Sequence, residues 1–139
     1  MMRMVKSLGA AALFTLPLMA QATTAPDGAS TQILSPMDGA TVSSPVVIQF
    51  GLSGMGVAPA GTDRDNTGHH HLLINLDELP PMDQPVASDD QHRHFGGGQT
   101  QVSLDLPPGE HTLQLLLGDK DHIPHTPPVM SDKITITVE

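Results

Sequence analysis

Residues 100–117 read TQVSLDLPPGEHTLQLLL, and the alternation on either side of their Pro-Pro-Gly break decides the fold class. Thr100, Val102, Leu104 and Leu106 alternate with Gln101, Ser103 and Asp105, the period of two by which a half-buried strand turns one face to a core. Pro107-Pro108-Gly109 ends the run, since proline removes a ladder donor and glycine accepts turn conformations. Glu110 to Leu117 then resumes the alternation, with His111, Leu113, Leu115 and Leu117 on one face.

Outward from this hairpin-like unit the same grammar repeats. Gln32 to Leu34 begins the domain, Ser35-Pro36-Met37-Asp38-Gly39-Ala40 turns the chain into Thr41 and Val42, and Pro45 opens a strand at Val46 to Leu52. Ser53 to Gly68 reads as a long loop. His69 to Leu76 alternates again, with His70, Leu72, Ile74 and Leu76 directed at the core and His69, His71, Leu73 and Asn75 on the other face. Asp77 to Gly98 is rich in Pro, Asp and Gly and leaves room for a short edge strand near Gln84 to Ala87 or a turn of helix. Gly118 to Pro128 is a loop, and Val129 with Lys133 to Val138 closes the domain.

No window carries an apolar stripe at helical spacing for three turns. Six or seven short strands with turn signals between them predict an all-β, immunoglobulin-like antiparallel β-sandwich with Greek-key connections. In that scheme Val46 to Leu52 is strand B, His69 to Leu76 strand C, Gln99 to Leu106 strand E, Glu110 to Leu117 strand F and Lys133 to Val138 strand G. The B–C, D–E and F–G loops then gather at one end.

That topology gives meaning to the histidines. The chain holds 8 of them with no cysteine, tryptophan or tyrosine, and all lie between His69 and His125. His69 to His71 stand where the B–C loop enters strand C, His92 and His94 precede strand E, and His122 and His125 lie in the F–G loop. Neutral imidazoles converging from several segments suit Zn(II) or Cu(II), so the expected metal ligands are His69, His71, His92, His94, His122 and His125. An H-x-H pair in extended chain puts both rings on one face, which favours His69 with His71 and, if that stretch is extended, His92 with His94. His70, by its phase, reads as a buried structural residue and His111 as one that caps or packs strand F. Asp119 and Asp121 are placed to ligate directly or to accept a ring N–H, and Met55 is a weaker soft donor for copper.

The first 22 residues read as an export signal: Arg3 and Lys6, an apolar stretch from Leu8 to Met19, and the Ala20-Gln21-Ala22 cleavage pattern. Cleavage is expected near Ala22/Thr23, giving a periplasmic protein without membrane insertion, in which residues 23–30 form a flexible leader and residues 31–139 one sandwich domain. The apolar stretch is too short for a membrane span. Loss of Arg3 and Lys6, with no acid lost, moves the formal charge from −9 to −11. Such a field repels nucleic acid and anionic membranes and favours cations or basic partners.

Other chemistries fit poorly. Asp63-x-Asp65-x-Thr67-Gly68 imitates the start of a calcium loop, but Ile74 stands where a bidentate glutamate is required. Gly96-Gly97-Gly98 lacks both the P-loop Lys-Ser/Thr and a following helix. No G-x-S-x-G is present. Stacking platforms for sugars or single-stranded nucleic acid need aromatic rings, and only Phe50 and Phe95 follow the export signal.

The strings SPMDGATV, NTGHHHLLINLDELP, HFGGGQTQVSLDLPPGEHTLQLLLGDKDHIPH and ITITV resemble a family of exported bacterial proteins, domain of unknown function forty-three ninety-nine, over nearly all of Ile33 to Val138. The resemblance implies a small periplasmic domain and no established activity. A weaker likeness to periplasmic copper-carrier sandwiches lies in the Ser-Pro-x-x-Gly-Ala turn and the Pro-Gly turn before a late strand. Those carriers use a histidine at the mature N-terminus, which this chain lacks near Thr23, so copper handling is an analogy at the level of fold. The expected function is a non-enzymatic, periplasmic metal-binding sandwich that stores, carries or buffers Cu(II) or Zn(II). The alternatives are an envelope interaction or structural module with a pH-responsive histidine network, and a metal-dependent hydrolase with Asp119 or Asp121 as base. Oligomeric state is not readable from the sequence.

Overall fold

The computed structural model describes residues 13–17 and 21–139. Of the expected export signal, residues 1–12 and 18–20 lie outside the described residues. Among those described, no helix is long and apolar enough to cross a membrane.

Among the described residues nine strands run in the order β1 (Ser30–Ser35), β2 (Thr41–Val42), β3 (Val46–Ser53), β4 (Gly56–Val57), β5 (Thr67–Ile74), β6 (His92–His94), β7 (Gln101–Leu104), β8 (Gly109–Gly118) and β9 (Ile134–Val138). One sheet has the order β1-β3-β7; the other has β2-β9-β8-β5-β4, with β6 also paired to β5. This is the expected sandwich, with B and E (β3 and β7) in one sheet and C, F and G (β5, β8 and β9) in the other. Pairing is antiparallel except at β2–β9 and β4–β5.

The core lies between the sheets and follows the period of two. Val46, Ile48 and Phe50 of β3 meet Leu72 and Ile74 of β5, Leu113 and Leu115 of β8, and Ile136 and Val138 of β9. On β3 the intervening Val47 and Gln49 are exposed. β5 departs from that rule, because every residue from Gly68 to Ile74 is buried. Its inner face carries Leu72 and Ile74 in the core, with His70 against Phe50. Its outer face, with His69, His71 and Leu73, is covered by residues from the Asp77 to Gly98 segment and the loop after β8. Leu76, Met82, Val86 and Met130 pack there with Leu73 and Leu116.

Residues 92–94 form a strand on the edge of β5, with His71 opposite His94 and Leu73 opposite His92, so the stretch is extended, the condition under which His92 and His94 share a face. Two expectations change. Residues 84–87 are neither strand nor helix; Val86 serves instead as an apolar cover. Residues 23–30, expected as a flexible leader, are tied down. Ala25 N–H donates to the Thr126 carbonyl at 3.0 Å, Thr126 N–H donates to that of Thr23 at 2.9 Å, and Ala25 is buried against Leu117 and Val129.

Candidate metal centre

The β5–β8 register sets His69 opposite Gly118 and His71 opposite Leu116, while β6 sets His94 beside His71. Cross-strand partners point to the same side of a sheet, so His69, His71 and His94 share the outer face. The fourth ring comes from the loop after β8. His122 has φ 65°, a left-handed conformation that a histidine adopts infrequently. That bend turns the chain back over Gly118.

One nitrogen from each of His69, His71 and His122 lies within 4.8 Å of the other two. His69 Nε2 and His122 Nδ1 are 3.0 Å apart. Metal–nitrogen bonds of about 2.0–2.1 Å to a tetrahedral ion separate neighbouring ligand nitrogens by about 3.3 Å, so little movement is needed. The His94 ring centroid lies 4.7 Å from that of His122 and 5.7 Å from those of His69 and His71, stacked on the latter with a 26° tilt. His69 and His71 have no exposed surface, His122 is half-buried and His94 is exposed. The cluster therefore has two rings in its floor and two at its mouth.

Convergence of the rings, together with unmet polarity, marks this cluster; unmet polarity alone does not, since His70 and His125 Nδ1 share it. His69 Nδ1 and both nitrogens of His71 are buried without a hydrogen-bond partner, in a class of atoms that is nearly always paired. Burial, then repulsion from His122 and His94, takes the His69 pKa down to about 4. Burial followed by the charges of His69, His122 and His94 takes His71 to about 3. His122 is lowered too, first by burial and then by His94. Neutral rings are the form that a metal requires.

The loop that carries His122 is braced by Asp119. Its Oδ1 accepts N–H bonds from Asp121 and Ile123 at 2.9 and 3.0 Å, and its Oδ2 accepts the Thr23 hydroxyl at 2.9 Å. His122 N–H donates to the Asp119 carbonyl, and Val86 N–H to the carbonyl of His122. Burial alone would raise the Asp119 pKa, but these donors hold it below the usual carboxylate value. Asp121 is exposed and pairs with Lys120. Asp119 thus acts through the backbone of the loop.

Other expected ligands fall elsewhere. His92 sits beside Leu73, and its Nδ1 lies 2.8 Å from Asp89 Oδ1, closing the turn that precedes β6. His125 donates Nε2–H to the Thr67 carbonyl at 3.2 Å and abuts Gly68 and so the inner side of β5. His70 packs on Phe50 with ring centroids 5.2 Å apart and both nitrogens unpartnered. His111 accepts from Asn75 Nδ2 and donates to the Pro107 carbonyl, a structural role. Met55 packs with Ala25, Leu117 and Val129, away from the cluster.

Two glycines complete the site. A Cβ on Gly118 would overlap His71 Cε1, and one on Gly96 would stand 2.6 Å from His94 Nε2. Sequence reading missed both, since nothing in a turn-like Gly signals a ring across the sheet. The His71 ring is enclosed, so Gly118→Ala must displace it or β8. We expect a loss of about 1–3 kcal/mol of stability by overpacking, read by chemical denaturation, together with loss of metal binding.

A family model described as Domain of unknown function (DUF4399) matches residues 48–139, a span that includes all eight histidines. No curated protein and no solved structure matches the chain.

Proposed function

We propose a function from the site itself, because the chain belongs to the family described as Domain of unknown function (DUF4399), and that description assigns none: it is an exported, non-enzymatic protein that binds one Zn(II) or Cu(II). His69, His71 and His122 hold the ion and His94 closes over it. The observation that carries the reading is the three unpartnered, buried ring nitrogens of His69 and His71 beside His122. A cation takes up the lone pair of one nitrogen on each ring, with one nitrogen each of His69, His71 and His122 already within 4.8 Å of the others, and the imidazole set suits these two metals. Residues 1–22 support a periplasmic location through their basic start, apolar stretch and A-x-A pattern. Storage, carriage or buffering fits a site beside which Asp119 is engaged in holding the loop and Asp121 is paired with Lys120.

Thermal melts in chelator and in added metal test this reading. A ligand present at about 1,000 times its Kd stabilises by about 4 kcal/mol, which corresponds to a rise of roughly 10–20 °C in Tm for a domain of this size. Elemental analysis of untagged protein should give one ion per chain. His94→Ala should weaken affinity while leaving the chelated melt nearly unchanged, since His94 is exposed. The second reading, a histidine-braced module that recognises another envelope protein, draws on the direct His69–His122 contact, which pairs two nitrogens without a metal. It predicts identical melts with and without metal.

A further inference from the structure

Thr23 is held by the loop that presents His122. Its hydroxyl donates to Asp119 Oδ2 at 2.9 Å, its carbonyl accepts from Thr126 N–H at 2.9 Å, and Thr24 makes a parallel bridge with Thr126. The same residue follows the Ala20-Gln21-Ala22 pattern. Hydrolysis of the Ala22–Thr23 bond by a signal peptidase leaves a carboxylate on Ala22 and a protonated amine on Thr23.

We propose that this processing step finishes the protein: the new α-ammonium of Thr23 docks on Asp119 and locks the loop that carries His122. The Thr23 nitrogen is three bonds from the hydroxyl that already touches Asp119, so the charge arises within about 6 Å of the carboxylate, where opposite charges act strongly. The recess around Thr23 suits a cation. It is lined by Asp63, Asp65 and Asp119 against Arg64 and Lys120, and Lys120 is already paired with Asp121. Asp119 passes the effect on, since its other oxygen holds the N–H groups of Asp121 and Ile123 on either side of His122. In the unprocessed chain the same nitrogen is an uncharged amide and carries residues 1–22.

The inference rests on the export reading and deepens the metal reading, and its test keeps the failures apart. Export of the full chain from a Gram-negative host, followed by N-terminal sequencing, should give Thr23 as the first residue; any other start overturns the proposal. Next, metal-free protein starting at Thr23 is compared with protein that retains Gln21 and Ala22. The Thr23 form should melt about 2–5 °C higher, with Asp121 and Ile123 amides exchanging about 3–10-fold more slowly. Equal melting and exchange would overturn the docking even where cleavage is correct. Both readouts are made without metal, so an absence of metal uptake leaves them intact. In an Asp119→Asn background the two forms should melt alike; a difference that persists there overturns the assignment to Asp119.

Discussion

Replacing His71 by leucine is expected to raise the stability of the metal-free protein while abolishing tight metal binding. Both nitrogens of His71 are buried and unpartnered. Its outer-face neighbours on β5 and β8, Leu73 and Leu116, belong to an apolar cluster completed by Val86. Exchanging an unsatisfied buried polar group for an apolar one of similar shape removes a desolvation cost of about 1–3 kcal/mol. The same change removes one ligand from the proposed site; structural zinc in small domains contributes roughly 10–16 kcal/mol across about four ligands, so affinity should fall on the order of 100- to 1,000-fold. Urea denaturation in chelator reads the first effect and competitive metal titration the second. His70→Leu supplies the contrast. His70 also lacks partners for both nitrogens, but it lies between the sheets against Phe50, so it should show the gain in stability with affinity unchanged. A His71→Leu protein that is less stable in chelator, or that binds metal as before, would remove His71 from the centre. The opposed signs are those of a residue kept for function at a cost in stability.

Much of the sandwich is legible because its core strands obey the period of two. Val46, Ile48 and Phe50 alternate with exposed Val47 and Gln49, and Leu113 and Leu115 fall where the alternation around Pro107-Pro108-Gly109 places them. The less legible parts depend on tertiary pairing. β2 and β4 have two residues each and exist through parallel partners far along the chain. The burial of the outer face of β5 is hidden as well, since Leu76, Met82 and Val86 follow no strand or helix period. The leader reads as flexible because its residues are small and polar. What orders it is backbone pairing to Thr126, to which side-chain pattern is blind.

The centre was legible to the extent that it obeys strand geometry. His69 and His71 share a face by their spacing of two, and His94 joins them through the register of β6. His122 and His125 are separated by three, which in extended chain turns the two side chains to opposite sides; after the bend at His122, His125 lies against Gly68 on the inner side. His92 shares the face of His94 but lies two residues, about 7 Å, further along, where Leu73 is its cross-strand partner and Asp89 takes its nitrogen. Clustering in sequence thus overstates the number of rings that converge. Phase and register pare it down.

Acid should unfold the metal-free protein well above the pH at which carboxylates titrate. Burial lowers the His69 and His70 pKa values to about 4 and that of His71, with help from the neighbouring rings, to about 3, against 6.5 when exposed. Above pH 6.5 these rings are neutral in both states and add no pH dependence to stability. Below it the unfolded chain takes up protons that the folded chain refuses, so stability falls as pH falls and continues to fall until the folded values are reached. At pH 5 each ring accounts for about 2 kcal/mol, the product of 1.5 pH units and about 1.4 kcal/mol per unit. Together the three contribute about 4–6 kcal/mol, comparable to the whole stability of many small domains. Urea midpoints between pH 7.5 and pH 4.5 measure the slope. His70→Leu should remove about one third of it without affecting metal binding, whereas bound metal should carry the folded state to lower pH, because protons must then displace the ion from His69 and His71. Stability that is flat from pH 7 to pH 5 would mean that these rings are solvated in the folded protein, and with that the polar strain from which the metal site was inferred would disappear.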